Sequence, residues 1–283
     1  MSRNAKKKPK NKGRRMVTFL FVLLFLIVFL YLQNAYVGLS SYTYENAQIP
    51  AAFDGYRILQ VSDVHSGTFM NFMSLVKATK PDCIFITGDM LDRNTKDLDI
   101  VEGYIDELTA LAPVYFVTGN HEIGCKVYKE FRQYMQDSGV EVLENRRTTL
   151  EKDGEQIAVI GLHDYLNFGS NARFADTLDS LMLGYRDPFT ILLSHRPEKI
   201  EIYKKTDVDL VFSGHAHGGQ IRLPFIGGLI APGQFLFPKY TAGLITEGSL
   251  SMAISRGLGN SSRFPQRVFN RPELVLVTLK TGE

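Results

Sequence analysis

Five stretches of this chain share one grammar: a short apolar run, then at once a side chain that binds metals. Residues 58–61 lead into Asp63-Val64-His65, and residues 83–87 into Gly88-Asp89. Residues 114–118 lead into Gly119-Asn120-His121-Glu122, residues 191–194 into His195, and residues 210–213 into Gly214-His215-Ala216-His217. A buried parallel strand reads as a continuous apolar run rather than an alternating one. In open α/β sheets, ligands bind outside the carboxyl ends of such strands. Five strand ends bearing Asp, His, Asp, Asn and three further His therefore converge on one site. A pair of metal ions is the most economical occupant.

Carboxylate oxygen, amide oxygen and imidazole nitrogen suit hard or borderline divalent metals. Asp63 and His65 are two apart, so both can turn toward one ion where the strand breaks. Asp89 can bridge two ions with one carboxylate, and Asn120 offers a neutral oxygen. Gly214 permits the sharp turn that brings His215 and His217 together. A lone histidine such as His195 is ordinarily a satisfied core or surface residue; its place between the third and fifth motifs favours a ligand. His163 and Asp164 also follow an apolar run and are read as structural or supporting residues. Asp54, Glu122 and Asp207 suit turns and caps better than metal binding.

The rest of the chain agrees with an α/β domain. Helices are expected at 69–78, 96–111, 126–137, 172–181 and 197–204, and further strands at 140–143, 148–152, 156–161, 251–255 and 274–279. Asp153-Gly154 marks a hairpin turn. The later part is richer in short strands and glycine, which favours two sheets packed face to face, with helices outside. Cys83 and Cys125 are the only cysteines, too few and too far apart for a disulfide framework or a zinc knuckle. Cys83 reads as a small buried core residue, and Cys125 falls close to the third motif.

Charge divides the chain. Residues 1–15 hold eight bases and no acid, which leaves 24 bases against 30 acids in the remainder. An acidic domain does not have the basic footprint of a protein that binds long nucleic acids. Residues 16–36 carry no charge, enough for a membrane-spanning helix, which needs about 20 apolar residues. The expected organisation is a basic cytoplasmic tail at 1–15, a transmembrane signal anchor at 16–36, a linker at 37–54 and the catalytic domain at 55–283. Tyr31 and Tyr36 fall where an interfacial aromatic belt would sit, and the positive-inside rule places the domain outside the cytoplasm. A cleavable signal peptide is the rival, and Arg14-Arg15 hints at twin-arginine export. The apolar run is longer than such a peptide needs and lacks a clear small-residue cleavage site, which favours a retained anchor.

The ordered set D-x-H, G-D, G-N-H-[DE], lone His and G-H-x-H resembles the signature of the calcineurin-like metallophosphoesterase superfamily, over residues 56–279. The resemblance implies a β-sandwich flanked by helices. It implies a first ion on Asp63, His65 and His217, a second on Asn120, His195 and His215, and Asp89 between them. A hydroxide held between the ions would be the nucleophile on a phosphoester or pyrophosphate bond. His121 would be the general acid. Asp92 and Arg93 match the G-D-x-x-D-R form of the second motif, in which the Asp orients the catalytic His and the Arg contacts phosphate. The donor set suits Mn, Fe, Zn or Ni. The resemblance extends to a membrane-attached branch, so lipid-linked or cell-envelope phosphoesters are candidate substrates. A catalytically silent receptor or scaffold of the same fold and a nucleotide phosphodiesterase are the alternatives; the intact ligand set favours the enzyme.

Two loops, 218–224 and 256–260, are expected at the rim of the pocket. Residues 224–238 hold Phe225, Ile226, Leu229, Ile230, Phe235, Leu236 and Phe237 without a charge. A hairpin packed on the domain is the favoured reading, and an apolar lip toward a bilayer the alternative.

Overall fold

A computed structural model describes residues 12–184, 189–260 and 267–282, so residues 1–11 of the basic tail lie outside the described residues. The chain enters through α1 (Lys12–Ala35), which has no buried residue and is exposed along most of its length, half-buried only at Phe29 and from Gln33 to Ala35. Among the described residues it is the one helix long and apolar enough to cross a membrane.

The first half then runs β1 (Gly38–Asn46), β2 (Arg57–Val61), α2 (Phe72–Thr79), β3 (Cys83–Ile86), α3 (Asp99–Thr109), β4 (Val114–Phe116), α4 (Asn120–Gly124), α5 (Tyr128–Asp137) and β5 (Glu141–Val142). The second half runs β6 (Arg146–Lys152), β7 (Glu155–Gly161), α6 (Asn171–Met182), β8 (Thr190–Leu193), α7 (Ile200–Tyr203) and β9 (Leu210–Ser213). Two small hairpins follow, β10 (Arg222–Leu223) with β11 (Gly227–Gly228), and β12 (Ile230–Ala231) with β13 (Phe235–Leu236). The chain closes with β14 (Gly243–Glu247), β15 (Leu250–Ile254) and β16 (Glu273–Thr281).

Among the described residues these strands build two six-stranded mixed sheets, in the orders β1-β16-β2-β3-β4-β5 and β14-β15-β9-β8-β7-β6. The two-sheet α/β architecture expected from the sequence is the one observed. Alternation along each strand sorts its side chains between two cores. Ile58, Cys83 and Phe85 point between the sheets, where they meet Ile191, Leu193, Leu210 and Phe212 of the other sheet. Leu59, Val61, Ile84 and Ile86 point outward under α2, α3 and α5. On the far side Ile160, Leu192 and Val211 pack beneath α6 and α7. Both faces of the central strands are covered, which is why they read as unbroken apolar runs.

One segment differs from its sequence expectation. Residues 38–46, inside the stretch read as a linker, form β1 and pair in parallel with β16 along its whole length. This is an edge strand in which only Tyr44 is buried, so it lacks the apolar run that marks the central strands. It leaves α1 separated from the sheet by Tyr36 and Val37 alone.

Candidate metal centre

The parallel strands β2, β3 and β4 of one sheet and β8 and β9 of the other end at the same place. Their following residues meet across the gap between the sheets. Asp63, His65, Asp89 and His217 form one group of converging donors, and Asp89, His195 and His215 a second. Asp89 belongs to both. Its Oδ2 lies 3.3 Å from His195 Nε2 and 3.8 Å from His65 Nε2, while its Oδ1 accepts the His121 amide at 2.8 Å. His65 Nε2 and His217 Nε2 face each other at 3.3 Å, and His217 Nε2 is 3.4 Å from Asp63 Oδ1. Asn120 Oδ1 is buried and has no hydrogen-bond partner among the described residues, as suits an oxygen aimed at a cation.

The backbone is bent to make this possible. Asp63, His65, Asp89, His215 and His217 all have positive φ, between 46° and 65°. Side-chain-bearing residues in that region cost free energy and persist where the surroundings hold them, commonly at functional sites. The surroundings here are tight. A Cβ at Gly119 would strike the Asp89 carboxylate and backbone, and one at Gly214 would strike Ser62 and the Asp63 carboxylate. Gly257 and Gly259 close on Asp63 from behind, so the 256–260 loop buttresses a ligand turn rather than forming the rim expected from sequence.

Electrostatics favour a cation. Burial pushes Asp63 up to about 6 and His65 down to about 4. Burial also drives His215 and His217 well below the ordinary histidine range, helped by His195 and Arg196 at the first and by His65 and Arg267 at the second. Neutral imidazole is the metal-binding form. Burial would raise Asp89, yet His195, His65 and His121 hold it well below the usual carboxylate range. Against its own burial, His195 is pushed up to about 10 by Asp89 and Asp63. A metal at its Nε2 would take the place of that proton. Its Nδ1 is already committed, donating to the Thr87 carbonyl at 2.7 Å, which fixes the ring with Nε2 inward. The donor set and the orphaned Asn120 oxygen fit divalent metal ions.

Beside these groups opens a cleft of about 320 Å³, lined by Asp92, Arg93, His121, Arg196, Pro232 and Gly233 among others. The 218–224 loop is not part of its lining; the rim comes from the next hairpin instead. His121, the second residue of α4, lines the cleft, with Nδ1 3.2 Å from Asp92 Oδ2 and 3.0 Å from the Arg93 amide. Arg93 donates to the Asn120 carbonyl at 3.3 Å. Glu122 is the cap the sequence suggested: its buried carboxylate accepts the amides of Asp89, Leu91 and Gly119. Cys125 is buried in the outer core, and Cys83 between the sheets; both are free thiols.

Two arginines were not visible among the motifs. Arg196 is held by Asp164 at 2.7 and 3.0 Å and reaches to 3.4 Å from His215 Nε2. Its one sequence signal is adjacency to His195. Arg267 is fully buried and lies 3.3 Å from His217 Nδ1. It stands far beyond the last motif, and nothing in the sequence distinguishes it.

A two-sheet α/β fold whose strand ends gather aspartates, histidines and an asparagine around one cleft defines a metal-dependent phosphoesterase. The sequence profile of the calcineurin-like phosphoesterases matches residues 56–219, and this chain belongs to that family. It is 33% identical to the uncharacterized metallophosphoesterase YkuE of Bacillus subtilis, over 89% of this chain and 88% of that protein. It is 26% identical to the phosphodiesterase YaeI of Escherichia coli, over 79% of this chain and 82% of that protein. The fold is similar to that of the Thermus thermophilus protein TT1561, with a TM-score of 0.50 and 15% identity over 72% of this chain and 90% of that one.

Proposed function

We propose that this chain is a membrane-anchored, dinuclear phosphodiesterase. The observation that carries the reading is Asp89: one buried carboxylate lies between two groups of donors, as a bridging ligand must. Asp63, His65 and His217 would hold one ion with it, and Asn120, His195 and His215 the other. Two divalent ions bound there supply an activated water and positive charge for the phosphoryl oxygens.

The chain's own side chains do the remaining work. Arg196, braced by Asp164, and Arg93 line the cleft where non-bridging phosphoryl oxygens would lie; guanidinium suits them by its forked geometry. His121 Nδ1 accepts the Arg93 amide, with Asp92 Oδ2 3.2 Å from the same atom, so the proton is carried on Nε2, free to go to the departing alkoxide. Asp92 sets the orientation of that ring. A diester is favoured over other phosphoesters by the likeness to YaeI, a phosphodiesterase by name.

Retention of α1 as an anchor is supported by its contacts. Asn34 exchanges hydrogen bonds with the backbone of Arg267, and the Ala35 carbonyl accepts the Met70 amide. The last turn of α1 is thus built into the domain. The basic residues ahead of it put the domain on the extracytoplasmic side.

The test is turnover of bis(p-nitrophenyl) phosphate by the purified chain, with metal analysis of the same sample. Asp89→Asn should abolish both turnover and most metal. Full turnover by an Asp89→Asn protein stripped with chelator would refute the reading.

A further inference from the structure

The segment after the His217 turn joins two places. Its second hairpin brings Pro232 and Gly233 to the mouth of the cleft. Its first hairpin points elsewhere, with Phe225 wholly exposed and Ile226 62% exposed at its tip. Phe269 stands beside that tip, because Ile221 bridges Val268 and the Arg222 amide bonds the Val268 carbonyl. Leu223, Phe225, Ile226 and Phe269 line one shallow cleft with Arg222 and Arg256. The favoured sequence expectation, a hairpin packed on the domain, is therefore not what is observed.

This patch is continuous with α1. The Phe269 ring meets the Phe29 ring edge-on, with centroids 5.5 Å apart. The register of α1 then fixes what surrounds it. Arg15 is the last base before the apolar run. At about 1.5 Å per residue, Phe29 lies about 21 Å beyond it, inside a hydrocarbon core about 30 Å thick. A ring packed on Phe29 lies in lipid too. The backbone supports the same conclusion: Phe225 and Phe269 have φ of 68° and 51°. Bulky residues are rare there, and the cost is spent on turning rings away from the domain. A contiguous exposed apolar patch beside cationic side chains suits an amphipathic lipid surface.

We propose that Leu223, Phe225, Ile226 and Phe269 dock into the bilayer from which α1 emerges, holding the cleft beside lipid. The proposal rests on α1 being a membrane anchor. Because one segment forms both the lip and the Pro232–Gly233 rim, docking sets the distance from cleft to membrane and favours phosphodiesters at the lipid surface.

The full chain can be reconstituted in phosphatidylcholine vesicles with an environment-sensitive fluorophore at Phe225→Cys, at Phe21→Cys within α1, or at Asp153→Cys. Asp153 lies in the β6–β7 turn, at the opposite end of the sheet from the metal ligands. Lipids brominated on their acyl chains should quench the labels at 225 and 21, while aqueous iodide should reach 153 alone. Iodide quenching at 225 equal to that at 153 overturns the docking, and so does shielding of 225 from both quenchers, which would mean protein cover. If the label at 21 still responds to brominated lipid, the anchor stands and the lip alone is wrong; if iodide reaches 21 as well, the anchor falls with it.

Discussion

Asp164 grips Arg196 with both carboxylate oxygens, at 2.7 and 3.0 Å, and so holds a guanidinium over the His215 edge of the cleft. Asp164 is itself tied to the frame. Its amide bonds Thr118 Oγ1, and its Oδ1 accepts the Leu166 amide. A charge-assisted two-point contact orients an arginine more firmly than a single bond can. Asp164→Asn should raise KM for a phosphodiester about tenfold, the equivalent of roughly 1.4 kcal/mol of binding, with bound metal unchanged. Steady-state kinetics with metal analysis would check this; metal loss in the variant would make Asp164 part of the ligand frame instead.

His121 should matter according to the leaving group. His121→Ala is expected to keep its metal and to hydrolyse a p-nitrophenyl ester at near the parent rate. For an alkyl ester, whose leaving oxygen needs a proton, the loss should be about 100-fold or more. Equal loss on both esters would assign His121 to binding rather than proton transfer.

Glu122 should appear as a stability residue. Its carboxylate collects three backbone amides at 2.7–2.9 Å, and burial pushes it up to about 8. Glutamine presents one oxygen and one donor to those donors. Glu122→Gln should therefore cost about 1–3 kcal/mol in chemical denaturation, the usual penalty for buried groups left unpaired. An unchanged midpoint would mean that the α4 cap is not needed to hold the Asp89 turn.

Asp209 should make stability depend on pH. Burial, together with nearby Asp207, raises it from its ordinary 3.8 to about 6, though it accepts the Thr190 amide at 2.8 Å. A raised carboxyl binds its proton more tightly when folded, so its ionised form costs stability above about pH 6. The cost shrinks as pH falls from 6 toward 3.8 and is absent below that. Asp209→Asn should raise Tm by a few degrees at about pH 7.5 and leave it unchanged at about pH 3.5. A gain of equal size at both would point to some cause other than ionisation.

The central strands and their ligands were legible because burial on both faces writes an uninterrupted apolar run, and each run ends in a side chain that has no structural reason to be there. Asp63, His65, Asp89, Asn120, His195, His215 and His217 are brought around one cleft for that reason. β1 was not legible, since an edge strand with one buried residue writes no such run. Arg267 has no local pattern at all; its place beside His217 depends on the chain returning past Asn34. Phe225 shows another limit. Composition records that a residue is apolar, but a left-handed backbone decided that this one faces outward.

Everything proposed for the cleft depends on Asp89 joining two metal positions. Metal per chain, measured on the wild-type protein and on His195→Ala and His65→Ala, is the decisive measurement. Two equivalents in the wild type should fall to about one in each variant, with Asp89→Asn losing both. A wild-type protein that saturates at one equivalent, with full phosphodiesterase activity, would rule out a bridging Asp89.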